Sequence, residues 1–146
     1  MDKPRRITTA RGEHWPLRHV LSATGPGWRA LVLSLIRDLF KLGWDGSLSQ
    51  TKEKFGGLRF YIGGGTTEIF DRIEKAEDIA EATCEHCGRV GTLRGDGWLV
   101  TMCRYCWRRA QYVKKMDDYH NDKIRELETK IRDLKDEIMV AGERDA

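Results

Sequence analysis

A chain of 146 residues, 40% hydrophobic and 34% charged, has room for one folded domain and an appendage. No apolar run reaches the ~18 residues of a membrane helix, which argues against a helical membrane protein. The net charge of +3 is small beside that of basic nucleic-acid-binding domains. It hides an asymmetry. Seven Lys or Arg stand against two acids in residues 1–37, and seven against two in residues 84–115, whereas residues 116–146 carry six against ten. A basic body with an acidic tail suits a polyanionic partner, and equally an ordinary solvated surface with a self-attracting tail.

Residues 1–24 read as a basic N-terminal arm, mobile ahead of the fold, with no clear hydrophobic period. Arg5, Arg6 and Arg11 suit phosphate, and Trp15 and Pro16 suit pinning part of the arm to the body. Met1 to Arg11 is basic and lacks an apolar core, so no signal peptide is expected and a cytoplasmic location is. His14 and His19 are five apart, off the spacing that shares a helical face, and neither reads as a catalyst.

Residues 25–83 read as a helix-hairpin-helix core. Gly25-Pro26-Gly27 opens a helix over Trp28 to Leu42, with Pro26 suited to its first turn. Its apolar stripe is Trp28, Leu31, Val32, Leu35, Ile36, Leu39, Phe40 and Leu42, and Gly43 caps it. This is the expected core helix; a partner-binding face is the alternative. Trp44-Asp45-Gly46 is a turn. Ser47 to Phe55 and Leu58 to Ile62 flank Gly56-Gly57 as a hairpin, with Leu58, Phe60 and Ile62 on one face. The first strand is polar and reads as an edge, protected by Lys52 and Lys54. Those lysines with Arg59, beside Tyr61, would alternatively form a basic patch able to stack a base. Gly63-Gly64-Gly65 is a flexible exit, without the Gly-Lys-Ser/Thr of a phosphate loop. Thr66 or Thr67 caps a second helix that buries Ile69, Ile73, Ala76 and Ala80.

Residues 84–111 carry the strongest signal. Cys84-Glu85-His86-Cys87, fifteen residues, then Cys103-Arg104-Tyr105-Cys106 hold all four cysteines. Two Cys-x-x-Cys pairs at this spacing are the pattern of one structural zinc ion held by Cys84, Cys87, Cys103 and Cys106. Disulfides, free buried thiols and a redox pair are the alternatives; a reducing compartment argues against the first, and one pair suffices for the last. Thr92 to Arg94 and Trp98 to Met102 can form a hairpin between the pairs. No glycine follows Cys106, so the second pair is placed in the first turn of a helix, as in a treble clef; a ribbon with two loop knuckles is the alternative. His86 reads as a solvent-facing bystander, or a substitute ligand. A treble-clef nuclease would need catalytic histidines nearby, and Gly88 to Met102 contains none. A closed four-cysteine site leaves zinc no open position for water, which makes the metal a staple rather than a catalyst.

The segment Lys52-Glu53-Lys54-Phe55-Gly56-Gly57-Leu58-Arg59-Phe60-Tyr61 resembles the signature of a family of small, uncharacterised zinc-binding proteins of bacteria and their phages. Gly25-Pro26-Gly27-Trp28 before it, and Cys84 to Gly88 and Gly97 to Cys103 after it, fit the same pattern, so the resemblance covers about residues 25–107. In many relatives the last ligand looks like histidine; Cys106 stands in that place here. The resemblance carries no activity. It implies a bacterial or phage origin, a cytoplasmic location, and, for a phage gene of this size, an inhibitor or adaptor of a bacterial host protein.

Residues 112–146 read as a C-terminal helix. Ile124, Leu127, Ile131, Leu134 and Ile138 are spaced three, four, three, four, an a/d seam with isoleucine at a and leucine at d. Asp117 and His120 occupy the upstream seam positions, so a coiled coil is expected from about Lys123 to Gly142. The choice of side chains favours a parallel two-stranded coil and a homodimer. In that arrangement Lys123 faces Glu128, and Lys130 faces Lys135. A helix folded back on its own domain, or one packed on a foreign protein, is the alternative.

The expected fold is therefore α+β: core helix, hairpin, second helix, a four-cysteine treble-clef or ribbon-like site, and a long C-terminal helix. The expected function is a non-enzymatic, zinc-stapled interaction protein. A nucleic-acid-binding protein is the alternative, with Arg104, Arg108, Arg109, Lys114 and Lys115 as contacts; on a helix Arg104, Arg108 and Lys115 project to one side, near Tyr105 and Trp107. An enzyme with an unrecognised site comes third, since no acid/base pair or nucleophile constellation is visible.

Overall fold

A computed structural model describes residues 6–144, with side chains as far as Gly142. The chain divides after Trp107 into two compact units. The first is a mixed helical and antiparallel unit. Its elements are α1 (Leu17–Ser22), a 3-10 turn (Pro26–Trp28), α2 (Arg29–Lys41), β1 (Leu48–Lys54), β2 (Gly57–Ile62), α3 (Thr67–Glu81), β3 (Thr92–Arg94) and β4 (Val100–Met102). The last helix, α4 (Arg104–Arg144), begins in this unit and makes up the second.

The core forms where α2, α3 and the β1–β2 ribbon meet. Trp28, Val32, Leu35, Ile36 and Leu39 of the helical stripe are buried, with Leu58 and Phe60 of β2 and Ile69, Ile73, Ala76 and Ala80 of α3. Each large side chain removed from water here contributes about 1.5–3 kcal/mol. Two ends of the expected stripe behave differently: Phe40 packs at the core's edge, and Leu42, beyond the last helical turn, is exposed. Pro26 pre-sets a 3-10 turn, so the α-helix proper starts at Arg29. Thr66 caps α3, its Oγ1 accepting from the Ile69 N–H.

The hairpin turn lies one residue earlier than expected. Phe55 and Gly56 are its two loop residues, with φ of 53° and 79°, and Lys54 pairs with Gly57. Two successive positive φ values describe the turn that matches strand twist. Gly57 is thereby released into β2. Lys52 and Arg59 face each other across the ribbon, a like-charge pair that costs stability unless each cation finds other company. Lys52 reaches the Tyr61 ring, 5.8 Å from its centroid, and Arg59 turns to Glu77 at 3.8 Å. The suggested basic patch is thus split.

The N-terminal arm is corrected in part. Arg5 lies outside the described residues. From Ile7 onward the chain belongs to the core unit: Ile7 and Val20 are buried, and Trp15 packs against the core. The Thr8 N–H donates to the Gly46 carbonyl and the Leu48 N–H to the Thr8 carbonyl, at 2.8 and 2.9 Å. Two single-residue bridges, Thr8 to His14 and Thr8 to Ser47 just before β1, anchored by single apolar residues, leave no sequence period to read. Trp44 is a second departure. Expected in a turn, it is buried, its ring 5.0 Å from Phe40 and 6.0 Å from Phe60.

The second unit is helical. Gly142 does not end α4; one glycine costs a helix about 1 kcal/mol and does not by itself terminate it. Among the described residues no helix is long and apolar enough to cross a membrane.

Candidate metal centre

Thr83 begins the site. Cys84, at the exit of α3, is buried, and the chain then folds into a tight knuckle: the Gly88 N–H donates to the Cys84 carbonyl at 2.8 Å, and the Cys84 N–H to the Arg89 carbonyl at 2.7 Å. Gly88 has φ of 78°, a conformation open to glycine and strained for other residues. This turn aims the sulfurs of Cys84 and Cys87 at one point. β3 and β4 then return the chain antiparallel, with Leu93 opposite Thr101, and α4 starts at Arg104. Cys103 stands immediately before α4 and Cys106 in its first turn, where the Cys106 N–H points at the Cys103 sulfur at 3.4 Å.

All four cysteines are free thiols, and their sulfurs lie within 4.8 Å of one another, with Cys87 and Cys103 3.7 Å apart. This cluster can hold a metal ion. The Cys106 N–H holds the Cys103 thiol down at about 7 against the opposing effect of burial. Burial raises the Cys84 thiol, but the backbone N–H groups of Cys103, Cys87 and His86 outweigh it and the net shift is downward. Burial, together with the neighbouring thiols, pushes Cys106 up to about 12. His86 is exposed, as is Cys87.

Two glycine motifs fasten the knuckle and the hairpin to the core. The Gly27 N–H donates to the Glu85 carbonyl at 2.7 Å, and Trp28 Nε1 to the Thr83 carbonyl at 2.7 Å. A Cβ on Gly25 would sit 2.2 Å from the Glu85 oxygen, and one on Gly27 2.1 Å from the Cys84 oxygen. On the other side, Thr101 Oγ1 donates to the Gly56 carbonyl at 2.6 Å, and a Cβ on Gly56 would meet the Leu93 side chain at 2.3 Å. The Glu85 carboxyl is lifted above its ordinary value by burial and then by Glu53. The segments around Gly27, Gly56 and Cys84 therefore meet in space, although they are far apart in sequence.

Of the candidate contact residues, Arg104 lies in the first turn of α4. Arg108, Arg109, Lys114 and Lys115 are exposed along the helical unit. None of the five pairs with an acid among the described residues. The seam side chains Ile124, Leu127, Ile131, Leu134 and Ile138 are 49–70% exposed. Sequence reasoning missed Phe55 and Trp98, which are 71% and 79% exposed and line a shallow cleft of about 210 Å³ with Leu99 and Lys54. Both lie in apparent strand segments; only the positive φ of Phe55, set by the turn, takes its ring off the core face.

No family model, curated protein or solved structure matches this chain.

Proposed function

We propose that Cys84, Cys87, Cys103 and Cys106 bind one structural zinc ion in a treble-clef arrangement, and that the protein is a non-enzymatic interaction module that self-associates through α4. Zinc–thiolate bonds of about 2.3 Å in a tetrahedron put the sulfurs about 3.8 Å apart, and the Cys87–Cys103 distance is 3.7 Å. A knuckle, a β-hairpin and a helix carrying the fourth ligand in its first turn are the parts of a treble clef. Four protein ligands close the ion's coordination, so its role is to join knuckle, hairpin and helix. The partner that fits the family resemblance is a bacterial host protein, with this chain as inhibitor or adaptor in the cytoplasm.

The observation that carries the interaction reading is the a/d seam, left half-exposed along α4. Lone surface leucines are ordinary, but five aligned apolar side chains form a continuous strip. Sedimentation of the full chain against a chain ending at Tyr119 tests it: a dimer at tens of micromolar that the truncation abolishes supports the reading, and two monomers oppose it.

The unpaired cations Arg104, Arg108, Arg109, Lys114 and Lys115 support a second reading, nucleic-acid binding. It predicts weak sequence preference and affinity that falls steeply with salt. Labelled single- and double-stranded oligonucleotides at low and moderate salt test it. No binding at low salt, or binding that survives Arg104→Glu with Arg108→Glu, rules it out.

A further inference from the structure

We infer that α4 pairs with a second copy of itself in antiparallel orientation, in the register that sets Ile131 against the partner's Leu134. The inference rests on the self-association proposed above and adds its direction. Isoleucine at a with leucine at d, the basis for expecting a parallel coil, selects two strands among parallel assemblies and leaves the direction open. A parallel coil stacks Ile124, Leu127, Ile131, Leu134 and Ile138 each on its own copy. The antiparallel register stacks Leu127 on the partner's Ile138 and Ile131 on the partner's Leu134, with Ala141 facing the partner's Ile124 at each end. Every antiparallel layer joins an a to a d position, so the preference of isoleucine for a and leucine for d in parallel dimers has no counterpart there.

The flanking charges do choose. In a parallel coil the contacts join Lys123 to the partner's Glu128, which attract, and Lys130 to the partner's Lys135, which repel. In the antiparallel register Glu128 meets the partner's Lys135, and Lys130 meets the partner's Glu137. Two-fold symmetry repeats both; at the ends Lys123 meets the partner's Arg144, which repel, so two kinds of attractive contact stand against one repulsive, where the parallel coil has one against one. Sliding by one heptad in either direction destroys this: one slip sets Glu128 on its own copy and Lys130 on its own copy, and the other does the same to Lys135 and Glu137. The chosen register also overlaps residues 121–144, which run to the last helical residue and leave Asp117 outside the seam.

The monomer leaves these side chains available. Among the described residues Glu128, Lys135 and Glu137 make no ion pair, whereas Glu126 gathers both Lys123 and Lys130 at 2.8 Å. Only Lys130 has an intrachain competitor, and Glu126 retains Lys123 when Lys130 turns to the partner.

Parallel and antiparallel coils predict opposite signs for one substitution. Full-length wild type, Lys135→Glu, Lys130→Glu and Glu128→Lys with Lys135→Glu are compared by sedimentation equilibrium at low salt. These positions are exposed and the new residues are good helix formers, so folding is spared. The inference predicts that K135E and K130E each weaken the dimer roughly tenfold, because two contacts change from attraction to repulsion. It predicts that E128K with K135E restores wild-type affinity, and that added salt shrinks every difference. Tighter or unchanged association of K135E overturns the antiparallel register while leaving self-association intact. A monomeric wild type at tens of micromolar overturns the self-association reading itself.

Discussion

The backbone N–H of Gly27 donates to the carbonyl of Glu85 across 2.7 Å, joining the entrance of the core helix to the turn between two cysteines of the candidate metal centre. A methyl group does not fit there: a Cβ would stand 2.1 Å from the Cys84 oxygen, 2.5 Å from the Gly88 nitrogen and 2.8 Å from the Cys87 nitrogen. All three are backbone atoms of the knuckle and cannot rotate aside. Gly27→Ala is expected to cost about 2–4 kcal/mol and to weaken metal retention, measured by thermal melts and by chelator competition. Gly64→Ala, where nothing lies within 4 Å, is the matched control and should behave as wild type.

Thr101 ties the hairpin of the candidate metal centre to the turn of the β1–β2 ribbon. Its buried Oγ1 donates to the Gly56 carbonyl at 2.6 Å. Thr101→Val keeps the shape and orphans a buried acceptor, which costs about 1–3 kcal/mol. Chemical denaturation should show that loss, and Thr101→Ser should recover most of it. A loss in Thr101→Ser with none in Thr101→Val would point to the methyl contact instead.

α2 and α3 are clasped by Asp38 and Arg72, with Arg72 Nε 3.0 Å and Nη2 2.9 Å from Asp38 Oδ2. The hydrogen bond from Arg72, with help from the charges of Arg72 and Lys41, holds the Asp38 carboxyl below its ordinary value despite partial burial. A carboxyl whose folded value is depressed contributes stability above its unfolded value, and loses it as pH falls through the lowered one. Asp38→Asn should therefore melt lower than wild type at neutral pH, and the gap should close in acid. A gap independent of pH would show that packing, not charge, sets it.

The seam of α4 is tested at its centre. Ile131→Asp places a charge at the middle of the strip, where pairing would bury it without a partner. The variant is expected to sediment as a monomer at concentrations where wild type is a dimer, while its melting is unchanged in dilute solution. Dimerisation that survives the substitution would move the interface off the seam.

Much of this architecture is legible in the residues, because single elements follow local rules. The stripe of α2, the burial of Ile69, Ile73, Ala76 and Ala80, and the cap at Thr66 each depend on periodicity or on a neighbour three residues away. The four cysteines come together as their spacing requires. What stayed hidden depends on contacts between distant segments. Ile7 and Val20 are single apolar residues without a period, and Trp44 looks like part of a turn until Phe40 and Phe60 are brought to it. Gly25 and Gly27 read as helix punctuation, yet their lack of side chains admits the Cys84–Gly88 backbone. The hairpin turn sits one residue before the Gly56-Gly57 pair that signals it, because Phe55, not Gly57, takes the positive φ.

A single zinc ion is proposed to unite the knuckle, the hairpin and the start of α4, and metal analysis of protein purified under reducing conditions decides it. The predicted result is about one zinc per chain, with Cys87→Ser and Cys103→Ser each losing the metal and much of the folded yield. A metal-free wild-type protein that is fully folded, with a cooperative melt unchanged by added zinc or chelator, would contradict it.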